Sequence, residues 1–278
     1  MGRKIGVDAI SDLHMNNFNE HSIRSLFGKN KENEILLLGG DIINGSDNSF
    51  SVYGNLIKVL KTVYSTVLVV LGNHERFIYD MSISDIDKNY KKAIELNGGI
   101  LLDGSVFKHD SGLIIGGVSM FGSVDYIRIL SDPVFHFPGF LEKEYMKTFK
   151  GVEGGFPGLA DSYFWDNPLD LFKEDYNKLI EVSKYDCHII VTHVSPLTNN
   201  RSICERYRGL SSTAHFCFDG KEIFENNPPK LWLSGHSHNR GELDSGQWDN
   251  IDFYDISATC ESISRELIKF SHFFVEVN

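Results

Sequence analysis

VLVVLGNHE, residues 67–75, sets the terms for the rest of the chain. Val67 to Leu71 is an uninterrupted apolar run, the composition of a strand covered on both faces. It stops at Gly72, and Asn73, His74 and Glu75 follow at once. A plain turn favours the order Asn-Gly. Here an amide, an imidazole and a carboxylate sit in succession at a strand end.

The pattern recurs. A strand over Lys4 to Ile10 ends in Ser11-Asp12-Leu13-His14, and one over Glu34 to Leu38 ends in Gly39-Gly40-Asp41. Cys187 to Thr192 ends in His193, and Lys230 to Leu233 ends in Ser234-Gly235-His236-Ser237-His238. Helical spacing separates them over Ser22 to Lys29, Val52 to Tyr64, Ile86 to Leu96 and Leu169 to Ser183, with a short helix over Lys221 to Glu225. Ile100 to Leu102, Val106 to His109 and Leu113 to Val118 read as strands, and Ile251 to Ile256 and Glu266 to Val277 as a closing antiparallel run. Residues 121–168 break the pattern with Gly, Pro and aromatics. That stretch reads as a packed insertion or as a lid over a site mouth, and the two are compatible.

With 278 residues and no visible linker, one domain with this insertion is expected over 1–278. The formal net charge of −11 weighs against general nucleic-acid binding, which depends on basic surface. Cys187, Cys204, Cys217 and Cys260 lie far apart with no CxxC and read as reduced thiols. MGRKIGVDAISD lacks a signal-peptide core, and no apolar run approaches a membrane span. A cytoplasmic protein without membrane attachment is the expectation.

In open α/β folds, ligands bind beyond the carboxyl ends of strands. Asp12, His14, Asp41, Asn73, His74, His193, His236 and His238 would therefore converge at one edge. Imidazole and carboxylate suit manganese, iron, zinc or nickel. A carboxylate such as Asp41 has two oxygens with which to bridge two cations, and a pair roughly 3.5–4 Å apart clamps an in-line displacement at phosphorus.

The set Asp12-x-His14, Gly40-Asp41, Gly72-Asn73-His74-Glu75, His193 and Gly235-His236-x-His238 resembles the calcineurin-like metallophosphoesterase superfamily, motif for motif and in order, from Ile5 to about His238. DxH alone arises by chance about once in such a chain, whereas GNHE arises in roughly fewer than one chain in a hundred. The resemblance implies a four-layer α/β/β/α sandwich and two divalent or trivalent transition-metal ions. Asp12, His14 and His238 would hold one ion and Asn73, His193 and His236 the other, with Asp41 bridging. A hydroxide between the ions would attack phosphorus, with His74 as general acid. Gly72 would permit a sharp turn, and Glu75 would orient a histidine from behind.

Other residues carry two readings each. Arg76 reads as a phosphate contact or as a surface arginine paired with Asp80. Asn16 and Asn44 read as cleft-lining or as turn residues. Arg201, Arg206 and Arg208 read as a phosphate-binding or as a solvated loop. The expected substrate is a small soluble phosphomonoester or phosphodiester, nucleotide-like or otherwise. Gly40-Asp41-Ile42-Ile43-Asn44-Gly45 lacks the GDxxDRG arginine of the superfamily's protein phosphatases. A nuclease, a protein phosphatase and a non-catalytic scaffold binding through the insertion are the alternatives.

Overall fold

The computed structural model describes residues 3–15, 18–121, 143, 146–147, 150, 162, 168–198, 215–258 and 268–277. The readings placed on Asn16, on most of 121–168, and on Arg201, Arg206 and Arg208 lie outside the described residues.

Four strands, β1 (Arg3–Ile10), β2 (Ile35–Gly39), β3 (Thr66–Val70) and β4 (Ile100–Leu101), run parallel to one another. The helices α1 (Glu20–Asn30), α2 (Ser49–Leu60) and α3 (Ile83–Leu96) connect them. The last strand, whose range is Ser271–Val277, adds antiparallel to the outer edge of β1. The second sheet holds β5 (Ser105–Lys108), β6 (Ile114–Val118), β7 (Ile189–Thr192), β8 (Leu231–Ser234), β9 (Gly241–Glu242) and β10 (Asp252–Asp255), in the order β5-β6-β7-β8-β10-β9. Two more helices, α4 (Pro168–Ser183) and α5 (Lys221–Asn226), accompany it, and the closing strand of the first sheet is β11.

Alternation along the strands makes the layers. Val7, Ala9, Leu37, Leu68 and Val70 pack inward against Ile115, Ile189, Val191 and Leu233 of the facing sheet. Ile10, Leu36, Leu38 and Val69 point the other way, onto Phe27, Leu56, Ile57, Tyr90 and Ile94 of the helices. Ile190, Trp232 and Phe253 meet Leu179, Val182, Ile223 and Phe224 on the far side. This is the α/β/β/α arrangement expected. The helices start where side chains satisfy otherwise orphaned amides. Asn19 accepts from the Ser22 amide at 2.7 Å, and Ser82 from the Asp85 amide at 3.2 Å.

The two closing strands each have an antiparallel neighbour, as expected, but they do not form one run. β10 runs parallel to β8, while β11 joins the other sheet beside β1. The antiparallel neighbour of β10 is the two-residue β9, too short to leave a periodic signal. The chain thus returns to close the first sheet, and the two sheets converge at one end. Ser11 donates its amide to the Ile256 carbonyl at 3.0 Å, and Ala258 donates to the Ser11 carbonyl at 2.8 Å.

Candidate active site

The residues just past β1, β2, β3, β7 and β8 meet where the sheets converge. Their backbone is strained there. Asp12, His14, Asp41, His236 and His238 all take positive φ, between 45° and 62°. Non-glycine residues in that region cost energy and persist only where the surroundings impose them. Backbone bonds from Asp12 N–H to Gly40 O (2.9 Å) and His14 N–H to Asp41 O (2.9 Å) stitch the first two loops together.

Gly72 has a role different from the one expected. Its φ is not in the left-handed region; the residue is small because a Cβ there would lie 2.1 Å from Asp41 Oδ1. Gly40 is constrained in both ways, by a φ of +92° and by His193 Nδ1 standing 2.6 Å from a would-be Cβ.

Asp41 is the hub. Its Oδ1 accepts the His74 amide at 2.8 Å. Its Oδ2 faces three rings: His193 Nε2 at 3.4 Å, His74 Nε2 at 3.9 Å and His14 Nε2 at 4.0 Å. The second carboxylate, Asp12, accepts from Ser11 Oγ and from the His236 amide, and its Oδ1 lies 3.7 Å from His238 Nε2. Asn73 Oδ1 stands 3.2 Å from His193 Nε2. Two donor groups result, Asp12–His14–His238 and Asp41–His193–His236, each with its donor atoms within 4.8 Å of one another. A third, His14–Asp41–His74, overlaps both.

The donor set fits transition-metal ions: imidazole nitrogen, carboxylate oxygen and an amide oxygen. Ring anchoring agrees. His193 Nδ1–H donates to the Gly39 carbonyl at 2.8 Å, and His238 Nδ1 lies 3.4 Å from the Ala258 carbonyl. Each ring therefore turns its Nε2 toward a carboxylate, as metal-ligating histidines are held.

Electrostatics follow from burial and proximity. Burial alone would raise the Asp41 pKa, but the charge and hydrogen bond of His193, with His74 and His14, hold it below the usual carboxylate range. Burial works against charging His193, and Asp41 beside it outweighs that and raises its pKa. Burial, then His193, depress His236. Burial also lowers His74, against the opposing pull of Asp41.

Asn44 lies at the site but is engaged by histidines. Its Oδ1 is 2.9 Å from His74 Nδ1 and 3.3 Å from His14 Nδ1. Phe77 packs on the His74 ring with centroids 4.6 Å apart. A cleft of about 510 Å³ opens beside His74, bordered by Asn44, Ser46, Asp47 and Tyr79 among others.

Two readings are corrected. Glu75 does not orient a histidine. Its buried carboxylate accepts four backbone N–H groups, from Asp41 (2.8 Å), Ile42 (2.7 Å), Ile43 (3.1 Å) and Gly72 (2.8 Å), tying the Asp41 loop to the strand end at Gly72. Arg76 neither faces a substrate nor lies on the surface with Asp80. It is 2% exposed and pairs with Asp87 and Asp175, because the turn at His74–Arg76 carries its side chain toward α3 and α4.

Asp255 was missed by the motif reading. At the end of β10, its carboxylate accepts from Ser237 Oγ, the Asn239 amide (3.1 Å) and the Ser257 amide (2.7 Å), fixing the turn that carries His236 and His238. Because the strand read from sequence ran on to Ile256, Asp255 fell inside it and not at its end. Asp255→Ala is expected to weaken metal binding by about 10–100-fold, the usual effect of losing outer support. Competition with a chromogenic chelator measures this.

Comparison with known proteins bears on the fold and the family. The crystal structure of the phosphopantetheinyl hydrolase of Mycobacterium tuberculosis aligns at a TM-score of 0.61 and 13% identity, covering 93% of this chain and 91% of that one. A dimetal phosphatase from Danio rerio aligns at 0.51 and 12% identity, covering 96% and 91%. At such identities the likeness is one of fold. No curated protein sequence matches the chain. The family model for calcineurin-like phosphoesterases matches residues 6–240, and the chain belongs to that family.

Proposed function

We propose that this protein is a dinuclear metal-dependent phosphoesterase that hydrolyses a small phosphate ester, with His74 as general acid. The observation that carries the reading is the pair of donor groups joined at Asp41 with His74 at their edge. Asp12, His14, His238 and Asp41 would hold one ion, and Asn73, His193, His236 and Asp41 the other. When bound, such ions draw charge from phosphoryl oxygens and make water nucleophilic near neutral pH. Asp41, whose Oδ2 faces His14 of one group and His193 of the other, is the residue both groups would use.

The remaining work falls to the chain itself. With Asn44 holding Nδ1, the His74 ring keeps Nε2 toward Asp41 and the site. With the ring doubly protonated, that Nε2 supplies the proton to the leaving oxygen as the phosphorus–oxygen bond breaks. Phe77 against the ring limits its tilt. The adjoining cleft has the volume of a small-molecule site. Cys187, a buried free thiol, supports a reducing, cytoplasmic setting.

The experiment compares wild type with Asn73→Ala and His74→Ala on para-nitrophenyl phosphate, bis-para-nitrophenyl phosphate and phenyl phosphate, after chelation and refilling with manganese, zinc or iron. On phenyl phosphate, whose poorer leaving group needs the proton, His74→Ala is expected to lower kcat by about 10²–10⁴-fold with metal content intact, and on the para-nitrophenyl esters by much less. Asn73→Ala is expected to lose metal-dependent turnover. The preferred ester assigns monoesterase or diesterase activity. Full activity of His74→Ala on phenyl phosphate contradicts its role.

A further inference from the structure

Four consecutive side chains past β3 leave the backbone in four directions. Asn73 turns to His193, His74 to Asn44 and Asp41, and Glu75 to the amides of 41–43 and 72. Arg76 departs from the site altogether. Its Nε and one terminal nitrogen fork onto Asp87 of α3 at 3.0 and 2.8 Å. The other terminal nitrogen lies 3.7 Å from Asp175 of α4, which is fully buried. Lys178 continues the cluster, 3.4 Å from Asp175 and 3.2 Å from Asp103.

A buried guanidinium between two carboxylates is a costly way to fill space, since apolar residues pack as well or better. What a planar bidentate fork adds is orientation. Orientation is what this segment lacks on its own. Residues 74–76 make a single 3₁₀ turn, closed by Arg76 N–H to Asn73 O (3.0 Å) and Phe77 N–H to His74 O (3.2 Å). One such turn does not hold its own geometry. Glu75 pins it to the Asp41 loop, and Arg76 pins it to two helices.

We propose that Arg76, clamped by Asp87 and Asp175, is a positioning residue for the turn that presents Asn73 and His74. The kinetic consequence rests on the reading of His74 as general acid; the structural one does not. A displacement of about 1 Å at a reacting group costs on the order of 10²-fold in rate. The loss should concentrate on esters that need an acid.

Arg76→Lys keeps the buried charge balance and removes the fork, and Asp87→Asn keeps the arginine and weakens its partner. Both are studied as metal-loaded enzyme by amide hydrogen exchange across 72–78 and by kcat and KM on para-nitrophenyl phosphate and on phenyl phosphate, whose leaving group is poorer. In Arg76→Lys, exchange at 73–77 is expected to accelerate about 10-fold or more with the sheet cores unchanged. Turnover of phenyl phosphate is expected to fall by about 30–100-fold and that of para-nitrophenyl phosphate by less than about 5-fold, with KM held. Asp87→Asn should show the same pattern, reduced. Unchanged exchange at 73–77, or an equal fall on both esters, overturns the proposal and leaves Arg76 a fold-stabilising residue. If wild type turns over neither ester, the functional reading fails, and exchange alone decides the positioning role.

Discussion

Asp41→Ala is expected to abolish metal-dependent turnover, a loss of about 10³-fold or more, because several kcal/mol of metal assistance disappear at 1.36 kcal/mol per tenfold. Both oxygens of this carboxylate are engaged. Oδ2 faces His14 and His193, one from each donor group, so its removal opens both groups at their common corner. Oδ1 accepts the His74 amide, so the turn bearing the acid loosens at the same time. The charge matters separately from the shape. Asp41→Asn retains an oxygen for the His74 amide but not the anion that holds His193, and should recover folding more than activity. Elemental analysis is expected to find fewer than two ions per chain in either variant. Retention of both ions with near-normal turnover in Asp41→Ala contradicts the shared corner.

Glu75→Ala should be the most destabilising single change near the site. The carboxylate is fully buried and its acceptors serve the amides of Asp41, Ile42, Ile43 and Gly72. Removing it strands four buried N–H groups, each costing about 1–3 kcal/mol when unsatisfied. The expected loss is about 4 kcal/mol or more, a large part of the stability of an ordinary domain. Burial and the Asp41 charge push the Glu75 pKa up, while the amide donors from Ile43 and Gly72 oppose them. Glu75→Gln keeps one oxygen acceptor but directs an NH₂ group at amide donors, so only partial recovery is expected. Urea unfolding followed by circular dichroism measures the effect. A loss under about 1 kcal/mol in Glu75→Ala contradicts the clasp.

Much of this site could be read without coordinates, for a physical reason. Metal-ligand chemistry needs particular residue types, and an open sheet puts strand ends together. Asp12, His14, Asp41, Asn73, His193, His236 and His238 carry both signals at once. Direction within a turn carries neither. Asn73 to Arg76 occupy adjacent positions in a 3₁₀ turn, and which side chain meets the site, the backbone or the helices depends on partners far away in sequence. For Arg76 those partners are Asp87, on the next helix α3, and Asp175, reached only after α3, β4 and the first strands of the second sheet. Gly72 reads as a hinge in one dimension and as a clearance in three, because Asp41 approaches it only in the folded chain. β10 and β11 read alike, as short alternating segments, yet they enter different sheets. Asp255 escaped notice because it supports the His236–His238 turn from behind and belongs to no motif with it.

Under the function proposed here, the donor groups meeting at Asp41 form one catalytic centre that works with two ions. The direct test is a manganese titration of the chelated protein, reading hydrolysis of para-nitrophenyl phosphate and bis-para-nitrophenyl phosphate against metal equivalents. No turnover is expected before metal is added, and then a rise on at least one ester that breaks at two equivalents per chain. Turnover that survives chelation, a full rate at one equivalent, or none on either ester at any ratio would contradict the proposed function.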